Sequence, residues 1–473
     1  SLEVLATDYG AMKKTAAYGV FIDAGVISAT LSSAMASFLG APRILQSLAA
    51  DKIFKFLNPF AKGAGAANNP RRGVLLSFGI AAVVIMLGQL DLIARVVSMF
   101  FLISYGLLNY ATWFEAGTDS PSFRPRFKWY NKNISLAGFA ACVVVMFAID
   151  LKTGIAAAAI IFAVFQYLKR TKVQARWSDS QKSYHLQQVR TNLLAARQDP
   201  DHPRQWRPNI LAVSGNGKNF EHLLHFSHWI EGGSGITTAV RITLGTGFWM
   251  DQTRGKYHDQ LNNLINEKGY NAFPLAVSGV DGENTISTLL QTYGLGPVKA
   301  NTLVFDYEEV CGSAYAQVGS PRFGNHLQRI QRTGCNQLFV HSNAPFETPE
   351  GDKKTVIDVW WQADDTSRLI LLLGYLMTRN KDFASAGIRL FAVNYDRNNE
   401  TLIRELHAIL EEARIEADPE IVLGLDIDTV ARFSKESDLV LFPAKLKTGT
   451  LKILDSFDPD PLLSLFKISV VAV

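Results

Sequence analysis

AGVISATLSSAMASFLGAPRILQSLAADKIFKFLNPFAKG, residues 24–63, is the stretch whose reading decides the fold class. Its first half is apolar enough to enter a bilayer, yet it carries Ser28, Thr30, Ser32, Ser33 and Ser37. Its second half turns basic and amphipathic. Hydroxyls at membrane depth need partners, because lipid offers none. Neighbouring helices can supply them, and so can a bound ion.

A helix that crosses the hydrocarbon needs roughly 20 apolar residues. Residues 19–39, 73–90 and 92–115 qualify. Residues 134–149 and 153–168 are shorter and read as a tilted or partly inserted hairpin. Five segments are therefore expected. Charge is divided along the same line, with 18 Lys+Arg against 8 Asp+Glu through Arg176 and 29 against 35 beyond it. The early positive charge lies between apolar runs, at Arg43, Lys52, Lys55, Lys62, Arg71 and Arg72, then at Arg124, Arg126, Lys128 and Lys132. Such basic loops mark the cytoplasmic side of a membrane protein and are no nucleic-acid stripe. Residues 41–72, 119–133 and everything after 169 are expected in the cytoplasm, and residues 1–18 outside. Cys142, Cys311 and Cys335 are too few for a disulfide framework.

Past residue 177 the period changes. A polar amphipathic helix over 178–197 precedes buried-strand patterns at 209–214, 238–244, 273–278, 301–305 and 337–341. Helical patterns at 256–268, 283–292 and 322–333 alternate with them. After a polar break at 347–354, strands at 355–361, 388–394, 420–425 and 439–443 alternate with helices at 366–378, 400–412 and 428–436. This alternation predicts a doubly wound parallel sheet, and its restart suggests a duplication. The expected organisation is an α-helical membrane domain over 1–176 and a connecting helix over 177–205. Two α/β subdomains follow, over 206–346 and 347–473.

Residues Ala29, Ser32 and Ser33 are three and four apart, so one helix face holds all three. A carbonyl and two hydroxyls can coordinate an alkali cation. Spacing alone nonetheless favours serines bonded back to their own helix. Asp23 reads equally as an N-cap or as part of an ion vestibule. Tyr105 falls in mid-span, where a phenol needs a partner, either a helix carbonyl or an anion such as chloride. His222, His225 and His228 step by three and read as helix surface rather than a zinc site. The loop Ser214-Gly-Asn-Gly-Lys218 follows a strand and could cradle phosphate, but it lacks the P-loop spacing. Asp364-Asp365 reads as a helix cap. No catalytic constellation emerges, so the chain is not expected to be an enzyme or to carry a cofactor.

Several segments together resemble the cation-chloride cotransporter family of the amino acid-polyamine-organocation superfamily. They are ATLSSAMAS (29–37), GAPRILQSLAADKIF (40–54), FAKGAGAANNPRRG (60–73), FFLISYGLLNY (100–110), FRPRFKWYNKNISLAG (123–138), WRPNILAVSG (206–215) and IDVWWQADD (357–365). The serine pair brings the chain nearest the sodium-dependent, sodium-potassium-chloride branch. The resemblance implies that residues 19–39 are the eighth transmembrane helix, with the ninth to twelfth following and the first seven lying upstream. It implies a sodium site drawing on the Ala29 carbonyl and the Ser32 and Ser33 hydroxyls, and a chloride site drawing on Tyr105. It further implies coupled symport of chloride with sodium and potassium by alternating access. Universal-stress-protein-like cytosolic subdomains would form a homodimer together with the last transmembrane helices. A sodium-chloride or potassium-chloride symporter, or a membrane-anchored nucleotide-sensing module without transport, are the competing readings.

Overall fold

The computed structural model describes residues 10–52, 54–65, 67–88, 90–118, 130–170, 180–200, 202, 205–215, 219–245, 247, 249–312, 321–343, 355–394, 399–447 and 450–473. Arg124, Arg126 and Lys128, the 347–354 break and the tip of the 214–218 loop lie outside them. The chain separates into two units, Ser1–Asn192 and Leu193–Val473.

The first unit is helical. Its apolar helices run Gly19–Ala50, Arg71–Leu87, Leu90–Gly117, Lys132–Ile149 and Leu151–Arg170. Among the described residues, three helical stretches are long and apolar enough to cross a membrane: Gly19–Ala50, Ile93–Gly117 and Lys132–Ile149. The Leu151–Tyr167 stretch is apolar but shorter. The first helix runs eleven residues past the expected end of its span. Pro42 does not stop it, although a proline removes one intrahelical hydrogen bond. Instead Pro42 is buried against the next helix, where a Cβ built on Gly73 would stand 3.1 Å from the proline's own Cβ. Small residues also set the second close approach. A Cβ on Gly106 would meet Cys142 at 3.4 Å, and one on Gly138 would meet Asn109 Oδ1 at 2.9 Å. Small side chains let membrane helices approach where no hydrophobic force draws them together. Among the described residues, Met99, Met146 and Ala157 form a small buried core here, while Val20, Ile27, Leu31, Phe78, Phe101 and Phe162 are all more than half exposed. Apolar side chains left outward over whole helices are what a bilayer covers.

The second unit is built on one sheet of eleven strands: β1 (Asn209–Ser214), β2 (Ile236–Leu244), β3 (Ala272–Gly279), β4 (Thr302–Asp306), β5 (Asn336–Ser342), β6 (Val356–Trp361), β7 (Gly387–Asn394), β8 (Asp418–Leu423), β9 (Leu439–Lys447), β10 (Thr450–Ile453) and β11 (Ile468–Ala472). The spatial order is β3-β2-β1-β4-β5-β11-β9-β6-β7-β8, with β10 folded back on β9. With β10 left out, each half is parallel and has the doubly wound order 3-2-1-4-5 counted from its own first strand. The halves meet where β5 and β11 pair antiparallel. The duplication suggested by the sequence pattern is therefore a repeat of topology, and the two halves share one sheet. Strands β10 and β11 were not anticipated. The apolar run from Ile468 onward has no alternation to distinguish a buried strand from a helix.

The register makes the repeat residue-specific. Leu338, Val304, Ala212, Ala239 and Pro274 lie side by side across the first half. Val470, Leu441, Val359, Leu390 and Pro419 do so across the second. Both rows end on a proline in the outermost strand. In β3 the Gly279 carbonyl points inward to Gly245, so the backbone alternation turns position 274 outward, where proline offers no donor to a further strand. One face of the sheet is covered by helices Phe220–Glu231, Trp249–Lys268, Asp365–Thr378 and Asn399–Ala413. The other face is covered by Gly282–Thr292, Pro321–Gln331, Ile427–Phe433 and Pro459–Leu463. The first helices of the two halves also touch. Gly232, at φ +57° after Glu231, has no room for a Cβ, which would lie 2.9 Å from the Leu376 carbonyl oxygen. Trp229 meets Phe383 edge to face at 4.8 Å and donates its indole N–H to Asp382 at 3.0 Å.

Candidate functional site

The segment 29–33 lies inside an unbroken α-helix, so Ala29, Ser32 and Ser33 share one face as their spacing requires. The hydroxyls of the membrane unit fall into two groups. Thr30 Oγ1 donates to the Val26 carbonyl at 2.7 Å, Ser104 Oγ to Phe100 at 2.8 Å and Thr112 Oγ1 to Leu108 at 2.7 Å. These are the back-bonds expected of hydroxyls in a membrane helix. Ser32 and Ser33, like Ser28 and Ser37, make no side-chain hydrogen bond among the described residues. Their oxygens remain available as ligands.

Tyr105 lies on the Leu90–Gly117 helix, 58% exposed and stacked on Phe101 at 6.2 Å. Among the described residues no hydrogen bond or ring contact joins it to Ala29, Ser32 or Ser33. The serine face and the phenol thus lie on separate helices. Asp23 is not an N-cap: the helix starts four residues earlier, after Tyr18, and the Asp23 carboxylate pairs with Lys13 at 2.5 Å.

In the second unit the crevices of interest lie beyond the carboxyl ends of the central strands, where doubly wound sheets take ligands. In the first half two carboxylates bond to the segments around this crevice. Glu309 accepts the Ser214 hydroxyl at 2.7 Å and also the Gly215 backbone N–H. Asp306 accepts Asn219 Nδ2 at 3.0 Å and the Glu309 N–H at 2.8 Å. Burial pushes the Asp306 carboxyl above the ordinary carboxylate range, and these hydrogen bonds offset only part of that. One donor that could meet a phosphate, the Gly215 N–H, is therefore already held by a carboxylate of the same chain, and residues 216–218 of the loop lie outside the described residues. In the second half, Lys445 pairs with Asp364 at 2.9 Å and with Asp455 at 3.2 Å. Asp364 also caps the Asp365–Thr378 helix by accepting the Ser367 N–H at 2.9 Å, as the sequence suggested. Burial alone would raise Asp364, but the bonds from Ser367 and Lys445 prevail and hold its carboxyl low.

The three histidines are less superficial than their spacing implied. His225 packs on the Trp229 ring at 4.6 Å and near Asp382 at 3.8 Å, and His228 and His225 both face Tyr270 at 5.9 Å. Steps of three drift around the helix, and here the drift carries two of them toward the junction of the halves. No three His, Cys, Asp or Glu side chains converge as a metal site among the described residues. Sequence reasoning missed Glu309, Asp306 and Lys445, because nothing local to any of them signals which loop it will meet.

Membrane-length apolar helices followed by a duplicated α/β domain define a polytopic membrane protein of the permease type. The amino acid permease family model matches residues 3–212, and the model for solute carrier family 12 matches residues 324–441. Solute carrier family 12 member 1 of Rattus norvegicus is 32% identical over 506 aligned residues, covering 89% of this chain and 46% of that protein. Member 2 of Mus musculus is 31% identical, covering 90% and 42%, and member 3 of Pseudopleuronectes americanus is 26% identical, covering 86% and 44%. Among solved structures, the cytoplasmic domain of a prokaryotic cation chloride cotransporter is similar at 12% identity and a TM-score of 0.39, covering 57% of this chain and 96% of that one. A universal stress protein from Archaeoglobus fulgidus is similar at 9% identity and a TM-score of 0.38, covering 56% and 98%. The chain is thus similar over most of its length to members of solute carrier family 12. It spans less than half the length of these relatives.

Proposed function

We propose that this chain is the later part of a secondary active symporter that moves chloride together with sodium, and with potassium, by alternating access. Residues 1–176 form its membrane domain, 177–205 the connecting helix, and 206–346 with 347–473 the regulatory halves. The basic loop after the first helix places that loop and the α/β domain in the cytoplasm. The α/β domain and the last membrane helices serve a homodimer. In this reading the Ala29 carbonyl and the Ser32 and Ser33 hydroxyls form one side of a sodium site, and the Tyr105 phenol donates to chloride.

One observation carries the reading: on a membrane-length helix, Thr30 satisfies its hydroxyl locally while Ser32 and Ser33 leave theirs unpartnered. Sodium takes oxygen ligands, and a face bearing unpaired hydroxyls supplies them. The test uses the complete transporter with Ser32→Ala and Ser33→Ala. Coupling between co-transported ions is worth 1–3 kcal/mol, so sodium activation of chloride uptake should weaken by about tenfold or more. An unaltered sodium titration overturns the assignment. In the same assay Tyr105→Phe should shift the chloride titration to higher concentration, and an unmoved curve would make Tyr105 structural. Against the nucleotide-sensing alternative, Glu309 already accepts the Gly215 N–H and Lys445 is already paired with Asp364 and Asp455.

A further inference from the structure

The turn that follows the first membrane helix gathers unpaired cations. Between Gly40 and Gly73 the chain carries Arg43, Lys52, Lys55, Lys62, Arg71 and Arg72 against the single acid Asp51. The backbone folds these residues back on themselves. Gln46 Nε2 donates to the Asn68 carbonyl at 3.1 Å, and Asn68 Oδ1 accepts the Gly63 N–H at 2.8 Å. Ala64 and Asn69 form an antiparallel bridge. Arg72 Nη1 is spent on the Pro59 carbonyl at 2.8 Å, where it ties the short helix Lys55–Phe60 to the next helix. The tight Pro42–Gly73 contact joins the start of the second helix to the first helix about two turns before its end, and Arg43 follows one of its residues while Arg72 precedes the other.

What remains is a surface. Arg43, Lys52, Lys62 and Arg71 are exposed and make no ion pair among the described residues. Arg71 and Arg72 also sit in the first turn of their helix, where the helix's own field disfavours cations. In the same segment Ile44 is 71% exposed and Phe56 67% exposed. Cations with no internal partner, apolar side chains among them, and a membrane-length helix leading directly into the turn all match the headgroup layer of a bilayer. Basic residues there are attracted to anionic lipid while apolar ones reach the acyl boundary.

We propose that this turn is a docking surface for anionic phospholipid headgroups of the adjoining leaflet, with Arg43, Lys52, Lys62 and Arg71 as its cations and Ile44 and Phe56 as its apolar anchors. The inference rests on the membrane reading of the Gly19–Ala50 helix. A lipid seated there braces the turn against the bilayer and holds the ends of the first two helices in register.

The test measures lipid retained by the full chain in detergent, by native mass spectrometry, in a competition of phosphatidylglycerol with phosphatidylcholine. Phosphatidylglycerol should be retained in preference, and soluble glycerol 3-phosphate should not displace it. Acetylation of Lys52 and Lys62 should be rapid without phosphatidylglycerol and slow with it. A basic residue near an anionic surface is worth about 1 kcal/mol, so each neutralisation should lower lipid affinity about fivefold. The combined variant Arg43→Gln, Lys52→Gln, Lys62→Gln, Arg71→Gln should abolish the preference while remaining integral to the membrane. Equal retention of the two lipids, an undiminished preference in the variant, or displacement by glycerol 3-phosphate would overturn the inference. So would lysines protected before lipid is added, which would mean that protein already covers the turn. Release of the wild-type chain by alkaline carbonate would refute the membrane reading itself, and the inference with it.

Discussion

Phe339 and Val471 face each other across the β5–β11 pair, and the local two-fold of the duplicated sheet passes between them. The reciprocal bonds between Gln337 and Val473 set the alternation, which makes Phe339 and Val471 a hydrogen-bonded pair two positions along. Each is the counterpart of the other: the rows through Leu338 and Val470 match strand for strand, and both end on a proline. Neither side chain is more than 1% exposed, and Phe339 stacks on Phe305 at 5.7 Å. Phe339→Ala should therefore cost about 3–5 kcal/mol in urea unfolding of the Leu193–Val473 unit. Because the cavity opens where the halves join, the transition should also broaden as the halves uncouple. A loss below about 1 kcal/mol would show that the junction is not a packed core.

The second half is held by a buried ion pair. Arg389 reaches Asp358 with two parallel bonds, at 2.8 and 2.9 Å, and also donates to the Phe433 carbonyl at 3.2 Å. Asp358 is completely buried. Arg389→Ala leaves that carboxylate without its cation and should cost about 3–5 kcal/mol. Replacing Asp358 and Arg389 together with Asn and Met should recover much of the loss, since no isolated charge remains. Equal destabilisation by the single and double changes would refute the pairing argument.

Acid should weaken the α/β unit before its carboxylates titrate. Burial lowers the affinity of His225 for a proton, an effect that Asp382 offsets only in part, and burial does the same at His326. A histidine held neutral in the fold but free to protonate near 6.5 when unfolded adds stability above that pH and loses it as pH falls through the lowered value. Each pH unit crossed in that window should remove at most about 1.4 kcal/mol per histidine. The raised carboxyls of Glu231 and Asp306 act in the opposite sense, their contribution growing as pH falls. Comparison with the His225→Gln, His326→Gln variant isolates the histidines. Between pH 7.5 and 5.5 the wild type should lose more thermal stability than the variant, and parallel curves would contradict the assignment.

Cys335 should be inert in the native protein. It is 4% exposed, and burial pushes its thiol up to about 12, so almost no thiolate is present at pH 8. Peptide mapping after iodoacetamide treatment should find Cys335 unmodified in the folded chain and fully alkylated in denaturant. Modification of the folded chain at the denatured rate would mean that the Pro321–Gln331 side of the sheet opens readily.

Much of the scaffold was legible because its signals are local. The strand over Asn209–Ser214 needs only its apolar run, and the Asp365–Thr378 helix only Asp364 as its cap and an apolar face. The Gly19–Ala50 helix was legible as a span, but its continuation past Pro42 and the seat of that proline against Gly73 of another helix were not. The candidate ion residues were visible as types and spacings. Their state was not: whether a hydroxyl bonds back, as at Thr30, or stays unpaired, as at Ser32, depends on rotamers and neighbours.

The sequence by itself determined that apolar helices of membrane length precede an alternating α/β region, because hydrophobic period and run length are properties of adjacent residues. It also determined that the basic charge concentrates in the turns between those helices. Only the tertiary structure decided that the two α/β halves share one sheet across Phe339 and Val471, and that Glu309 meets Ser214 while Lys445 meets Asp364. The tertiary structure also left Ser32 and Ser33 unpartnered while Thr30 is satisfied. The shared sheet and the Glu309 and Lys445 contacts join residues far apart in the chain, whose energies no local pattern records, whereas the Thr30 bond is a local choice of rotamer.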